Sequence, residues 1–221
     1  MQLLHTTRTV VLILSAGLCL NAQDTPSKNP QMEAKGIPPR ATPADYQFHA
    51  QVGNVTLAAE FTGHSLPTLE GPLTTEDYVA VEAALFGPAG AQLTISATDF
   101  SLRLNGKKES LPSQPYGLIV SSLKDPEWVD PEASKSKSKT SMLGGGGQED
   151  SNTPPPPPKI PLAVQRAMAQ RVQRASLPEG DRALPQDGLL FFKYRGKTEK
   201  LHSVELIYDG PAGKVTLQLQ P

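Results

Sequence analysis

A stretch with nothing to bury cuts this chain in two. Serine and lysine alternate at 134–139, four glycines follow at 144–147, and five prolines stand at 154–158. No core can form from such a segment, because its glycines are flexible and its proline run favours a stiff, solvated polyproline II rod. Residues 129–160 are therefore expected to be a disordered Pro/Gly/Ser/Lys linker, and any compact fold must come from its flanks. Residues 23–44 are similar. They hold Pro26, Pro30, Pro38, Pro39 and Pro43 among polar neighbours, which predicts a disordered tail. The chain has 22 prolines and 18 glycines in 221 residues, well above the roughly 12% of average usage. That load argues against an all-helical fold, since both residues interrupt helices.

The flanks are patterned for strands. Tyr46, Phe48, Ala50 and Val52 alternate with Gln47, His49 and Gln51. After Gly53-Asn54, Val55, Leu57, Ala59 and Phe61 alternate again, which predicts a hairpin. Residues 63–75 read as a loop, and 78–86 as a strand stopped by Gly87-Pro88-Ala89-Gly90. Leu93, Ile95 and Ala97 share one face, but Phe100, Leu102 and Leu104 have the opposite parity. A straight strand cannot switch its buried face, so a bulge or corner is expected between Ala97 and Asp99. Asn105-Gly106 marks a turn, and 116–123 is open between a strand and a short helix.

Beyond the linker, 161–177 predicts the one helix. Pro161 suits its first position, Val164, Met168, Val172 and Ala175 form an apolar stripe, and Pro178 ends it. Segments 189–194, 201–208 and 215–219, with turns at 195–197 and 209–213, read as a three-stranded antiparallel meander. Seven or eight short strands predict an all-β fold, an antiparallel β-sandwich. Its two parts, 45–128 and 178–221, are expected to pair as one domain, since small cores are hard to stabilise alone. Two independent small domains are the other reading.

Residues 1–22 have the form of a secretory signal. Arg8 precedes an apolar run at 9–20, and Leu20-Asn21-Ala22 supplies a small residue for cleavage after Ala22. The run is short of the roughly 20 residues a membrane span needs. A periplasmic or secreted product without a transmembrane segment is expected. Cys19 is the only cysteine, and lipoprotein anchoring there is the other possibility. With cleavage after Ala22 the product would have no thiol, hence no disulfide and no cysteine-held metal. The chain's 21 basic and 22 acidic residues make no strong field, which gives nucleic acid no electrostatic footprint.

No residue pattern specifies catalysis. His49, His64 and His202 lie far apart with no ligand spacing. Neither a Gly-x-Ser-x-Gly elbow nor a His-Glu-x-x-His helix occurs, and 144–147 lacks the Gly-Lys-Ser/Thr of a phosphate loop. No cofactor is expected. The best candidates are partner contacts. Trp128 stands beside the linker, and Arg166, Arg171 and Arg174 on the helix join Lys135, Lys137, Lys139 and Lys159 in one locally basic region suited to an acidic protein or polymer. The reading is a non-catalytic interaction or structural module of the cell envelope. The other class is an envelope hydrolase or metal-binding protein whose site assembles from distant residues.

Three stretches carry a family likeness: Tyr78-Val79-Ala80-Val81, Thr98-Asp99-Phe100-Ser101-Leu102 leading to Asn105-Gly106, and Leu184-Pro185-Gln186-Asp187-Gly188 followed by Leu189-Leu190-Phe191-Phe192. They resemble the telokin-like, immunoglobulin-type domains of bacterial exported proteins of unknown function. The resemblance covers about half of the chain. It implies an immunoglobulin-like β-sandwich used for binding or as a spacer, with no catalytic residues to carry over. The linker and its helix depart from a compact version of that fold.

Because 134–158 carries so little that could enter a core, its deletion is expected to leave a single cooperative thermal transition within a few degrees of the intact chain. Loss of that transition in differential scanning calorimetry would show that the segment supports the fold.

Overall fold

The computed structural model describes residues 33–128 and 160–221. The expected signal, most of the linker and Lys135, Lys137, Lys139 and Lys159 lie outside the described residues. Thirteen strands and one α-helix are found among those described. The strands are β1 (Phe48–Val52), β2 (Val55–Gly63), β3 (Ser65–Leu66), β4 (Leu73–Thr75), β5 (Tyr78–Phe86), β6 (Gln92–Ile95), β7 (Phe100–Leu104), β8 (Leu111–Gln114) and β9 (Leu123–Lys124). The helix α1 (Leu162–Ala175) is followed by β10 (Gly180–Ala183), β11 (Gln186–Lys193), β12 (Val204–Gly210) and β13 (Gly213–Leu219). Eight strands form one antiparallel sheet in the order β1-β2-β5-β11-β8-β7-β12-β13. A ribbon, β10-β6, and a small sheet, β3-β4-β9, stand beside it.

The sheet folds over a single core. Short β8 is the corner: Ser113 and Gln114 pair with β11, while Leu111 and Pro112 pair with β7. Period-two alternation then turns Val79, Val81, Leu85 and Phe192 from one half toward Phe100, Leu102, Leu206 and Tyr208 from the other, all in one buried cluster. The two end strands meet rather than standing open. Gln47 accepts a hydrogen bond from the Gln220 amide at 3.4 Å and donates to its carbonyl at 3.5 Å. At the far end Gly53, with φ +59° in the two-residue β1–β2 turn, lies so near that a Cβ would sit 2.6 Å from the Ala212 carbonyl. Glycine is needed there both for the turn and for the approach.

The corner between Ala97 and Asp99 is a 3-10 turn in which the Ser96 hydroxyl accepts from the Thr98 amide. It sends β6 to the ribbon and β7 to the main sheet. The open segment 116–123 resolves into two 3-10 turns and the start of β9. The short strands β3, β4, β8, β9 and β10 were not anticipated, because two to four residues are too few to display a period.

Two expectations need correction. The C-terminal strands do not form a three-stranded meander. β12 and β13 make a hairpin, but β11 pairs with β5 over eight positions and with β8. β11 is apolar on both faces, with Leu190 and Phe192 in the main core and Leu189 and Phe191 in a second cluster, so it belongs where both faces are covered. Second, the tail expected to be disordered up to residue 44 is bound to the sheet from Glu33 onward. The Lys35 amide donates to the Arg174 carbonyl at 3.2 Å and the Ile37 amide to the Asp187 carbonyl at 3.0 Å. Backbone hydrogen bonds hold it, together with a few side chains, among them Ile37 against the second cluster and Tyr46 beside Ala58 and Ala84.

Helix α1 covers the outer face of β5 and β11 through Met168, Val172 and Ala175, packed with Leu189, Phe191, Leu66 and Leu73. The pairing of β5 with β11 joins the two sides of the linker. A fragment of residues 45–123 would lose both β11 and β12, leaving β5 paired only with β2 and β7 only with β8. It is expected to give a collapsed, poorly dispersed amide spectrum. In the full chain, Phe192→Ala should cost about 3–5 kcal/mol in urea unfolding.

Candidate functional site

The outer face of β2, β5 and β11 carries small residues, Ala58, Ala80 and Ala84, beside three acids, Glu60, Glu82 and Asp187. The alanines leave room for residues 33–46 to lie across the strands. Gly36 (φ +77°) fits so closely that a Cβ would stand 2.2 Å from the Asp187 carbonyl oxygen. Arg40 reaches Glu60 at 2.7 Å and Glu82 at 3.1 Å, and its guanidinium lies 4.4 Å from the centre of the Tyr46 ring. The Tyr46 hydroxyl accepts from the Arg40 amide at 3.0 Å and donates to Asp187 Oδ2 at 2.5 Å.

This network is sealed. Asp187 is 1% exposed, Tyr46 5% and Glu82 7%, and Asp187 Oδ1 has no hydrogen-bond partner. Burial pushes the Asp187 carboxyl up to about 7, against the pull of the Tyr46 hydrogen bond and with the help of the Glu82 charge. Burial also raises Glu82, with Arg40 opposing, and raises the Tyr46 phenol. Perturbed carboxyls often mark function, but no substrate reaches these groups while Tyr46 covers them. Their immediate effect is to hold residues 33–46 in place.

The second feature is a cavity of about 510 Å³ next to that segment. Its walls include Leu177, Leu189, Phe191 and Tyr116, with Ser113 on β8. The Ser113 hydroxyl is buried and has no hydrogen-bond partner. Glu33, Ala34, Glu179 and Arg182 form the rim, and Glu33 pairs with Arg182 across it. The ribbon borders this cavity through Arg182 and through the turn after β6. Thr94 on β6 donates to Asp181 on β10 at 2.5 Å, and the Ala97 amide donates to Glu179 at 2.9 Å. Each ribbon strand has a single strand neighbour among the described residues.

The residues singled out from the sequence do not converge here. Arg171 turns inward, with 14% of its side chain exposed. It pairs with Asp125 at 2.7 Å and donates to the Gly71 carbonyl at 2.9 Å and the Glu70 carbonyl at 3.2 Å. It therefore staples α1 to two loops and is not available as a partner contact, since its planar fork of donors is used within the chain. Arg174 pairs with Glu70 at 2.6 Å. Arg166 is exposed, and Trp128 is half-buried at the end of the first described stretch. His49 and His202 are exposed. His64 stacks on Tyr194, its two ring nitrogens 2.7 Å and 2.8 Å from the Tyr78 and Gly196 carbonyls. Among the described residues no group of three His, Cys, Asp or Glu side chains is placed to hold a metal ion.

Sequence reasoning passed over Arg40, Tyr46, Glu82 and Asp187. A signal was present for two of them. Glu82 interrupts the apolar run of β5, and Asp187 stands two residues before the apolar run of β11. A charged residue at a doubly covered position must be paired or neutralised. Searches against protein-family models, curated proteins and solved structures find no match to this chain.

Tyr46→Phe removes the sole hydroxyl donor to Asp187 without changing the ring. It is expected to lower stability by about 1–3 kcal/mol at neutral pH. A urea midpoint equal to wild type would show that the bond contributes nothing net.

Proposed function

We propose that the chain is an exported, non-catalytic interaction module of the cell envelope that receives an extended segment of a partner polypeptide along the β6–β10 ribbon. The observation that carries this reading is the ribbon, whose edge has no strand partner among the described residues, beside an apolar cavity. Strand addition uses such a pairing. Main-chain hydrogen bonds along the edge supply affinity, and a pocket for alternate side chains supplies selectivity. The end strands of the large sheet cover one another, so the ribbon is the better acceptor. An apolar side chain of the added strand would enter the cavity, where the Ser113 hydroxyl would meet a polar group, and Arg182 would meet one at the rim. The leader-like residues 1–22 support export to the periplasm or beyond. The resemblance to telokin-like, immunoglobulin-type domains supports a binding or spacer role on an immunoglobulin-like sandwich.

The test is site-specific photocrosslinking in the native cell. A photoreactive phenylalanine analogue at Thr94 or Ala183 is expected to yield a discrete protein adduct. The same analogue at Lys214, on exposed β13, is the control. Adducts of equal yield from all three positions, or none from the ribbon, would sink the proposal.

A further inference from the structure

We propose that residues 33–46 form a proton-controlled strap over the cavity. With the Asp187 carboxyl neutral the strap is latched and Glu33 spans the rim to Arg182; ionisation of that carboxyl releases the strap and opens the cavity. This rests on reading the cavity as the binding site and adds its regulation.

The strap has few attachments. Most of its residues are exposed or half-buried, and within it only Gly36 and Tyr46 are buried. Segments with little buried apolar surface are those that open most readily. Its contacts gather around one residue. The Ile37 amide bonds the Asp187 carbonyl, Gly36 packs against that same oxygen, and the Tyr46 hydroxyl bonds the Asp187 side chain. Asp187 therefore takes part in holding the strap at Gly36-Ile37 and at Tyr46, while Lys35 to Arg174, Glu33 to Arg182 and Arg40 to Glu60 and Glu82 are its other ties. The strap also reaches the cavity itself, because Glu33 and Ala34 are part of the rim.

The charges around Asp187 decide which protonation state the latch favours. Facing it are Tyr46 and Arg40 from the strap, Glu82 from β5 and, beyond Arg40, Glu60 from β2. The single cation is already shared by two carboxylates. An ionised Asp187 would be a third anion, with the Tyr46 hydroxyl as its one side-chain donor, the Gly188 backbone beside it, and one unpartnered oxygen. An unpartnered oxygen costs far more on a buried anion than on a neutral acid. The latched carboxyl holds its proton up to about 7, whereas a solvated aspartate loses it near 3.9. The latch is thus at full strength below about pH 4 and weakens as pH rises from there through about 7. Above that the dependence flattens. From pH 5.5 to 8.5 the closing equilibrium should fall about thirtyfold.

Hydrogen exchange of the Lys35 and Ile37 amides in the full chain tests this, with rates divided by the intrinsic rate at each pH. Protection is expected to fall about thirtyfold between pH 5.5 and 8.5, while that of Val81 in β5 stays constant. Asp187→Asn keeps an acceptor for Tyr46 but cannot ionise, and its strap protection should change less than threefold. The fluorescent probe anilinonaphthalene sulfonate should bind more tightly to wild type at pH 8.5 than at 5.5. Ala97→Trp, which fills the cavity, should abolish that gain. Strap protection independent of pH, or the same fall in Asp187→Asn, overturns the proposal. If that variant does not fold, Tyr46→Phe replaces it. By removing a hydrogen bond that favours the anion it should raise the value at which the latched carboxyl ionises, so the fall continues to higher pH than in wild type, and an unmoved profile overturns the latch. These readouts need no partner. A pH-dependent strap with a failed ribbon crosslink would refute the partner reading alone, and the converse would refute the strap alone.

Discussion

The ladder between β5 and β11 is the constraint on which the rest of the structure depends. It runs in register from Gln186 opposite Leu85 to Lys193 opposite Tyr78 and joins chain segments that lie on opposite sides of the linker. Both strands are covered on both faces. Inward, Val79, Val81, Leu190 and Phe192 enter the main core; outward, Tyr78, Ala80, Leu189 and Phe191 meet α1 and the β3-β4-β9 sheet. Without a disulfide among the described residues, burial of apolar surface on both sides of this ladder must offset the entropy of ordering distant segments.

The same ladder creates the polar network. A strand buried on both faces has no solvent side on which to place an acid, yet β5 carries Glu82 and β11 carries Asp187. Arg40 neutralises the first, and burial keeps a proton on the second up to about neutral pH. The segment bringing Arg40 and Tyr46 is thereby fixed across the sheet, and its beginning becomes part of the cavity rim. Packing and protonation meet at one carboxyl group, and the segment fixed there borders the cavity.

The helix shows how local and tertiary effects combine. Its apolar stripe seats Met168 and Val172 over β11, while Arg171 on its flank clamps the loop at Gly71 and the turn at Asp125. The arginine carries charge but works as a structural tie, because its acceptors are two backbone carbonyls and a carboxylate that is itself largely buried.

What the sequence alone determined was local. Period-two alternation located β1, β2, β7, β12 and β13, the turn residues from Gly87 marked the end of β5, the Gly53-Asn54 turn set the first hairpin, and the flip of parity after Ala97 announced the corner. A stripe at 164, 168, 172 and 175 located the helix. These features follow from steric and hydrophobic rules that act within a few residues. Only the tertiary structure decided the rest. The neighbours of β11, the short strands, the ordered stretch from Glu33 to Tyr46, the inward turn of Arg171 and the meeting of Arg40, Glu60, Glu82, Tyr46 and Asp187 all depend on contacts between residues far apart in the chain. No spacing encodes such contacts, because they arise only when the sheet closes over its core and the leftover polar groups must find partners.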